Sequence, residues 1–169
     1  ETCVLCNVVM SPKPREGVDF FPLNVEYEEK LYAAGRIPGS FMRREGRPGE
    51  RAILTSRVVD RPMRPLFPKE MRNDVCITMT VMSLDPDCSP EIAGMIGASL
   101  VTAVSEIPWN GPIGGVQVGL VDGEIVLNPT QEQRRKSDLA LTVAATMDKI
   151  VMIEAGANEV DEDTMLDAI

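Results

Sequence analysis

The stretch DVCITMTVMSL, residues 74–84, is a nearly continuous apolar run rich in β-branched residues. A run of this length and composition predicts a strand in the middle of a sheet. Ser89, Pro90 and Glu91 come soon after it and match the N-cap, first residue and acidic first turn of a helix. The centre of the chain therefore predicts a strand followed by a helix that packs on it.

The helix after this strand should run from Ser89 to about Ser105. Its spacing predicts an inward face made of Ile92, Ile96, Leu100 and Ala103. Gly94 and Gly97 lower helix propensity, and we expect them to permit close packing against the sheet.

The amino-terminal side predicts two strands and a helix. Residues 2–10 are short and apolar, and residues 21–27 alternate with Leu23, Val25 and Tyr27 on one face. Residues 28–47 lack periodicity and predict a long loop, with room for a short helix. A helix should begin at Pro48, bury Ile53, Leu54 and Val58, and end at Pro62 and Pro65.

The carboxyl-terminal side predicts a hairpin that turns at Asp122-Gly123. Thr130 and Gln133 form the pattern of a capping box, and LALTVAA and KIVMIEAGA predict a strand pair. Asp161 should cap a last helix. The order of elements predicts a mixed α/β (α+β) fold, with a largely antiparallel sheet and helices packed on it.

Length and composition predict one soluble domain over residues 1–169 and exclude several classes of site. The chain has no histidine, which excludes a Ser-His-Asp triad and leaves the Cys3-x-x-Cys6 pair without the partners of a zinc site. We expect four reduced thiols, with Cys3 and Cys6 on opposite faces of a strand, and a cytoplasmic protein. No apolar stretch is long enough for a membrane span, and the opening reads as the middle of a strand, so we expect further strands upstream.

The densest group of carboxylates contains Glu159, Asp161, Glu162 and Asp163. It lies at the predicted start of a helix, where the helix dipole favours acids. We therefore prefer a structural role for this group to a metal site.

Positive charge is concentrated in residues 36–64. This window holds eight arginines, no lysine and three acids, whereas the whole chain has a net charge of −9. Arginine binds phosphate and carboxylate through forked contacts, so the window predicts a surface for an anionic ligand.

Arg57 and Arg61 are four residues apart on the predicted helix and therefore share a face, which Arg64 could extend. Like charges at this spacing repel each other unless an anion lies beside them. Two interpretations remain open: these arginines contact an anionic ligand, or they pair with Asp60, Glu50 and Glu45 or form a solvated face.

The loop segment Gly39-Ser40-Phe41-Met42-Arg43-Arg44 combines a hinge, two apolar side chains and two arginines. Proteins that bind single-stranded nucleic acid use apolar side chains as platforms for bases and arginines to hold the backbone. The alternative is a loop whose Phe41 is buried in the core.

Several long motifs resemble one known family. FFPLNVEYEEKLYAAGRIPGSFMRREGRP, LTSRVVDRPMRPLFP, MIGAS, IPWNGPIGGVQVG and VLNPT are similar, in this order, to the first RNase PH-like domain of bacterial polynucleotide phosphorylases. The resemblance covers essentially the whole chain. It implies an RNase PH-like β-α-β-α core of the ribosomal protein S5 domain 2-like type.

The resemblance also implies a function. In that family, inorganic phosphate attacks the 3′ end of single-stranded RNA and a nucleoside diphosphate leaves, as a step of mRNA degradation. The subunits form a homotrimer around an RNA channel, and other RNA-degradation proteins are possible partners. Phe41, Met42, Arg43 and Arg44 correspond to the family's channel loop, which binds RNA. Met42 replaces a second aromatic there, so we expect a less specific base contact.

The resemblance assigns Arg57, Arg61 and Arg64 to substrate phosphate and places no catalytic or metal residue in this chain. Similar proteins often have arginine where this chain has Gln117. The family's phosphate-binding serines and the aspartates for Mg²⁺ belong to a second core domain, so we expect these residues alone to be inactive. The alternatives are a noncatalytic RNA-binding or scaffold subunit of an exosome-like ring and a stand-alone RNase PH relative.

Overall fold

Two β-sheets form one after the other along the chain. The computed structural model describes residues 1–39 and 41–169; Ser40, part of the predicted hinge, lies outside the described residues. The first sheet contains β1 (Cys3–Pro14), β2 (Leu23–Glu29) and β3 (Asn73–Ser83), in the order β1-β3-β2. The run at 74–84 is therefore the central strand, as predicted. It pairs antiparallel with β1 and parallel with β2.

The second sheet contains β4 (Gly114–Val121), β5 (Glu124–Leu127), β6 (Leu139–Ala145) and β7 (Ile150–Ala157). Its order is β5-β4-β6-β7 and every pair is antiparallel. The mixed α/β class is confirmed, but the strands form two sheets and not one. The chain leaves the first sheet at Ser83, passes through a long helix and begins a new ladder at Gly114.

The helices are α1 (Glu50–Met63), α2 (Pro90–Ala103), α3 (Gln131–Lys136) and α4 (Glu162–Asp167), with 3-10 helices at Leu31–Ala34 and Arg64–Leu66. Gly49 caps α1, which therefore begins two residues after Pro48. The helix also includes Pro62 and ends at Met63, so the predicted end is wrong by a residue. A proline in the last turn removes only one backbone donor, and a 3-10 helix follows directly.

The predicted inward face of α1 is wrong at two of its three positions, because only Val58 is half-buried and packs against the core. Ile53 and Leu54 are each 53% exposed, whereas Ala52, Thr55, Val59 and Met63 are buried. Ala52 and Thr55 on the inner face are small, which allows the start of the helix to lie close to β2, while Ile53 and Leu54 point outward.

The predicted inward face of α2 is wrong as well. Ile92 is buried, but Ile96, Leu100 and Ala103 are exposed, and Met95, Ala98, Ser99 and Thr102 are buried instead. The two glycines do permit close packing, as predicted. A Cβ on Gly97 would lie 2.5 Å from Cys6 Sγ, and one on Gly94 would lie 3.2 Å from Met79 Sδ.

α2 lies between the two sheets. Gly94 and Gly97 face the first sheet, while Met95 reaches β4, where a Cβ on Gly115 would lie 2.5 Å from its sulfur. The main core is built around this helix and α1, from Tyr27, Val59, Met63, Ile77 and Met79. A smaller core under α4 contains Val118, Leu139, Leu141 and Val143.

Several local predictions are confirmed. The hairpin turns at Asp122 and Gly123, which both have positive φ. Thr130 and Gln133 form a reciprocal capping box, and Asp161 Oδ1 accepts a hydrogen bond from Thr164 N at 2.9 Å. The four cysteines are free, with Cys3 exposed and Cys6 half-buried on the opposite face. β1 extends beyond the predicted end at residue 10 and reaches Pro14, with an irregularity after Met10.

Candidate nucleic-acid interface

The arginine loop, which we define as residues 36–39 and 41–48, follows a 3-10 helix at the end of β2. Gly35 ends this helix in the left-handed conformation, with φ of 68°, and donates to the carbonyl groups of Leu31 and Tyr32. This conformation favours glycine, because a Cβ at positive φ is strained. The chain is thereby turned away from the sheet before the arginines begin.

The side chains of the arginine loop are displayed to solvent. Phe41 is 101% exposed and Met42 is 64% exposed, so the alternative of a core role for Phe41 is wrong. Arg36, Arg43, Arg44 and Arg47 are exposed too. A fully exposed aromatic ring next to unburied arginines has the combination of base platform and phosphate contact that single-stranded nucleic acid requires.

Arg57 and Arg61 lie on one exposed face of α1, as the sequence predicts, but their surroundings differ. Arg61 Nη1 lies 2.8 Å from Glu154 Oε2 of β7, and both side chains are about half exposed. Arg57 is exposed and has no ion pair or side-chain hydrogen bond to the residues that the structure describes. Arg57 is thus available to an anion. Arg61 could bind an anion only by giving up its contact with the carboxylate of Glu154.

Arg64 is held by the protein itself. Its guanidinium donates to both carboxylate oxygens of Asp60, at 2.9 and 2.6 Å. It also donates to the carbonyl oxygens of Phe21 and Leu23, at 3.0 and 3.1 Å. These contacts join the end of α1 to the start of β2. The pairing with Asp60 was one of the interpretations left open by the sequence, and the phosphate role of Arg57, Arg61 and Arg64 stays a prediction.

A pocket of about 230 Å³ lies between α1, α2 and the second sheet. Its polar lining includes Arg51, Glu91, Gln117 and Glu154. Arg51 Nη2 lies 3.0 Å from Glu91 Oε1, and Gln117 Nε2 donates to Glu91 Oε2 at 3.3 Å. Gln117, where an arginine was expected from the resemblance, thus contacts a carboxylate.

The electrostatics of this pocket favour the charged state of its arginine. Partial burial acts to lower the pKa of Arg51, but the charge of Glu91 and its hydrogen bond outweigh burial and raise it. Burial, together with the charges of Glu29 and Glu91, raises the pKa of Tyr27. Both groups therefore keep their protons throughout the ordinary pH range.

Three residues organise this surface without a sequence pattern that singles them out: Glu45, Arg51 and Glu154. Glu154 lies 93 positions from its partner Arg61, so no local spacing links them. Glu45 was considered only as a possible partner of the arginines, but its Oε1 accepts a hydrogen bond from Leu31 N at 2.8 Å. In the sequence, Glu45 lies among arginines, and this position does not indicate a contact with the backbone.

Within residues 1–39 and 41–169, no helix is long and apolar enough to cross a membrane. In the same ranges, no group of three or more cysteine or carboxylate side chains is arranged to hold a metal ion.

Comparison with known proteins identifies the family. Residues 1–108, which contain the first sheet with α1 and α2, match the 3′ exoribonuclease family, domain 1. Residues 111–169, which contain the second sheet, match domain 2 of the same family. The chain belongs to the 3′ exoribonuclease family. This membership confirms the RNase PH-like fold expected from the motifs.

Relatives in the family match along the whole chain. The polyribonucleotide nucleotidyltransferase of Lachnoclostridium phytofermentans is 64% identical over 169 residues, and that of Clostridioides difficile is 58% identical over 169 residues. In both cases the match covers 100% of this chain and 24% of the relative, so the chain spans about a quarter of the relatives' length. The resemblance to bacterial polynucleotide phosphorylases is confirmed. The division of the longer protein into domains, with residues 1–169 as the first, stays a prediction.

A solved structure supports the fold independently of close sequence similarity. Rice (Oryza sativa) Rrp46 superposes with a TM-score of 0.76 over 98% of this chain and 74% of that chain, at 13% sequence identity. At an identity this low, the TM-score shows that the fold alone is shared.

Proposed function

We propose that this chain binds single-stranded RNA through its arginine loop, as part of a phosphate-dependent 3′-to-5′ exoribonuclease that acts in mRNA degradation. The single observation that carries the proposal is the display of Phe41, Met42, Arg43 and Arg44 on the surface of a family member. The identity of 58–64% to polyribonucleotide nucleotidyltransferases supports the reaction.

In the proposed reaction, an oxygen of inorganic phosphate attacks the last phosphorus of the RNA. The bond from that phosphorus to the 3′ oxygen of the preceding nucleotide breaks, and a nucleoside diphosphate is released. Mg²⁺ would stabilise the charge that develops on the phosphate oxygens, and we place its ligands in the second core domain of the longer protein. The residues of this chain bind and orient the RNA.

Within this proposal the arginines divide into two groups. Arg43 and Arg44 would hold RNA phosphates while Phe41 and Met42 cover a base. Arg57 and Arg61 would contact phosphate at the edge of the active site, and Arg64 would support them by holding Asp60. A cytoplasmic homotrimer would bring three arginine loops around one strand, and other RNA-degradation proteins are the expected partners.

The test uses the full-length protein that contains this chain. Changing both Arg43→Ala and Arg44→Ala should weaken oligo(A) binding and flatten its salt dependence by a slope of about 2, since each lost phosphate contact removes about 1. Changing Phe41→Ala should cost about 1–3 kcal/mol of binding with the slope unchanged. Titration at several salt concentrations measures both effects, and ADP release with phosphate and Mg²⁺ measures the reaction.

Arg15→Ala is the matched control. Arg15 pairs with Asp74 at 3.1 Å, near the end of the first sheet opposite to the arginine loop. Its loss should leave RNA binding unchanged. Unaltered binding in the Arg43 and Arg44 double variant would refute the proposed interface. Intact RNA binding without any ADP release by the unmodified protein would favour the noncatalytic scaffold instead.

A further inference from the structure

Glu45 makes a contact that the proposed function does not use. Its Oε1 accepts a hydrogen bond from the backbone N–H of Leu31, at 2.8 Å and across 14 residues. Leu31 is the first residue of the 3-10 helix, and the first amides of a helix have no acceptor within it. A carboxylate that accepts from such an amide forms a charge-assisted bond, which is stronger than a neutral one.

The backbone of Leu31 holds both ends of the loop segment that carries the predicted RNA contacts. Its carbonyl oxygen accepts from Arg36 N at 2.9 Å, where the arginine loop begins. Its N–H donates to Glu45, directly after Arg44. Phe41, Met42, Arg43 and Arg44 therefore lie on a segment whose two ends meet at one residue.

The two hydrogen bonds of Leu31 restrict a segment whose glycines would otherwise make it flexible. Glycines stand at positions 35, 39, 46 and 49, so both ends of the segment have unusual backbone freedom. A bond between the ends restricts the conformations in which the arginines and Phe41 can be presented. Binding then costs less, because less of the loop has to be ordered by the ligand.

The charge of Glu45 has the opposite effect on RNA. Glu45 is exposed between Arg44 and Arg47, and its negative charge repels a nearby phosphate. Its field also reaches Lys30, whose pKa is raised by a hydrogen bond to Glu28 and, to a lesser extent, by the charges of Glu28 and Glu45. If Glu45 contributed only its negative charge, it would therefore weaken RNA binding at the proposed interface.

We propose that Glu45 is a positioning residue that closes the arginine loop onto Leu31 and so presents Phe41, Arg43 and Arg44 to RNA. This inference rests on the proposed function, since it concerns how the same interface is prepared. It predicts opposite effects on RNA binding for the hydrogen bond and for the negative charge of Glu45. Loss of the hydrogen bond weakens binding, and loss of the negative charge alone strengthens it.

The test compares Glu45→Ala with Glu45→Gln in the full-length protein, by titration with fluorescent oligo(A). Glu45→Ala removes both bond and charge, and should weaken binding about three- to tenfold because the loop must then be ordered on binding. Glu45→Gln keeps an oxygen acceptor and removes the charge, so binding should become tighter, by about twofold or less. The salt slope should be unchanged in both, since no phosphate contact is lost.

Glu50→Ala is the matched control for charge. Glu50 is exposed at the start of α1 and makes no side-chain hydrogen bond to any residue that the structure describes. Its removal should leave binding unchanged or slightly tighter. Hydrogen exchange at the Leu31 amide gives a separate readout, which should become faster in Glu45→Ala and stay slow in Glu45→Gln.

The inference is overturned if Glu45→Ala binds RNA as well as the unmodified protein, or if the Ala and Gln variants bind equally. The double change of Arg43 and Arg44 is run beside them. If that double variant binds normally, the proposed function fails; if it binds weakly while Glu45→Ala binds normally, only the role of Glu45 fails.

Discussion

Arg57 and Arg64 are two helical turns apart near the end of α1, and their guanidinium groups make different contacts. The guanidinium of Arg64 donates to Asp60 and to two backbone carbonyls of the segment that begins β2. Arg57 has no such partner among the described residues and is exposed. At the scale of single residues, one arginine stabilises the fold and the other is open to a ligand.

Replacing each arginine should separate these roles. Arg64→Ala removes the donor to the partly buried carboxylate of Asp60 and to the carbonyl oxygen of Leu23, and it leaves the carbonyl oxygen of Phe21 with only Leu23 N as a donor. It should lower the free energy of unfolding by about 1–2 kcal/mol, a value reduced for the partial solvent exposure of this site. Arg57→Ala should change the free energy of unfolding by less than about 0.5 kcal/mol. Urea unfolding of both variants measures the difference, and equal midpoints would contradict the structural role of Arg64.

At the scale of elements, the position of α2 depends on Gly97, which lies so close to β1 that no side chain fits there. A Cβ on Gly97 would lie 2.5 Å from Cys6 Sγ, the sulfur that faces Gly94 O at 3.8 Å. Burial, followed by the nearby Cys3, raises the pKa of Cys6, so this thiol stays protonated and behaves as a packing group. The closeness of α2 to β1 is set here.

Gly97→Ala should therefore destabilise the protein by about 1–3 kcal/mol through overpacking, despite the helix propensity of alanine. In a Cys6→Ala background the same change should be neutral or stabilising, because the obstructing sulfur is gone. Thermal unfolding of the single and double variants completes the cycle. Gly94→Ala is a useful comparison with a smaller expected cost, since its neighbour Met79 has a flexible side chain that can shift. Additive effects of Gly97 and Cys6 would rule out direct contact.

At the scale of the whole molecule, positive and negative charges are concentrated in different parts of the chain. Residues 36–64 have a net charge of +5 within a chain of −9, and residues 138–169 hold eight acids with Lys149 as their one base. Only part of this acidity is used in the structure, as in the pair between Glu154 and Arg61. We expect the rest to repel polyanions and so, within the proposed function, to restrict RNA to the arginine loop.

Neutralising exposed acids far from the arginines tests this idea. The combined change Glu162→Gln, Asp163→Asn and Asp167→Asn on α4 should raise nonspecific RNA binding a few-fold at low salt, and less at high salt because of screening. Competition between oligo(A) and an unrelated polyanion measures the loss of selectivity. Selectivity equal to that of the unmodified protein would show that the acidic surface has no such function.

The sequence by itself determined the features that depend on neighbouring residues. The central strand at 74–84 follows from its continuous apolar run, and the turn at Asp122-Gly123 and the caps at Thr130 and Asp161 follow from contacts over a few residues. The arginine loop and its apolar side chains were also visible in advance, since their spacing and motif are local. Exposure of Phe41 was left open, because an aromatic residue in a loop is compatible with burial as well.

Tertiary structure alone decided which helix faces are buried and which charges meet. Leu54 and Leu100 fit an inward face by spacing, yet both are more than half exposed. An amphipathic pattern gives the period of a helix, whereas the packing distance to its sheet selects the buried side. The pairs of Arg61 with Glu154 and of Leu31 with Glu45 join distant positions, and such contacts form only when the sheets and the loop have brought those positions together.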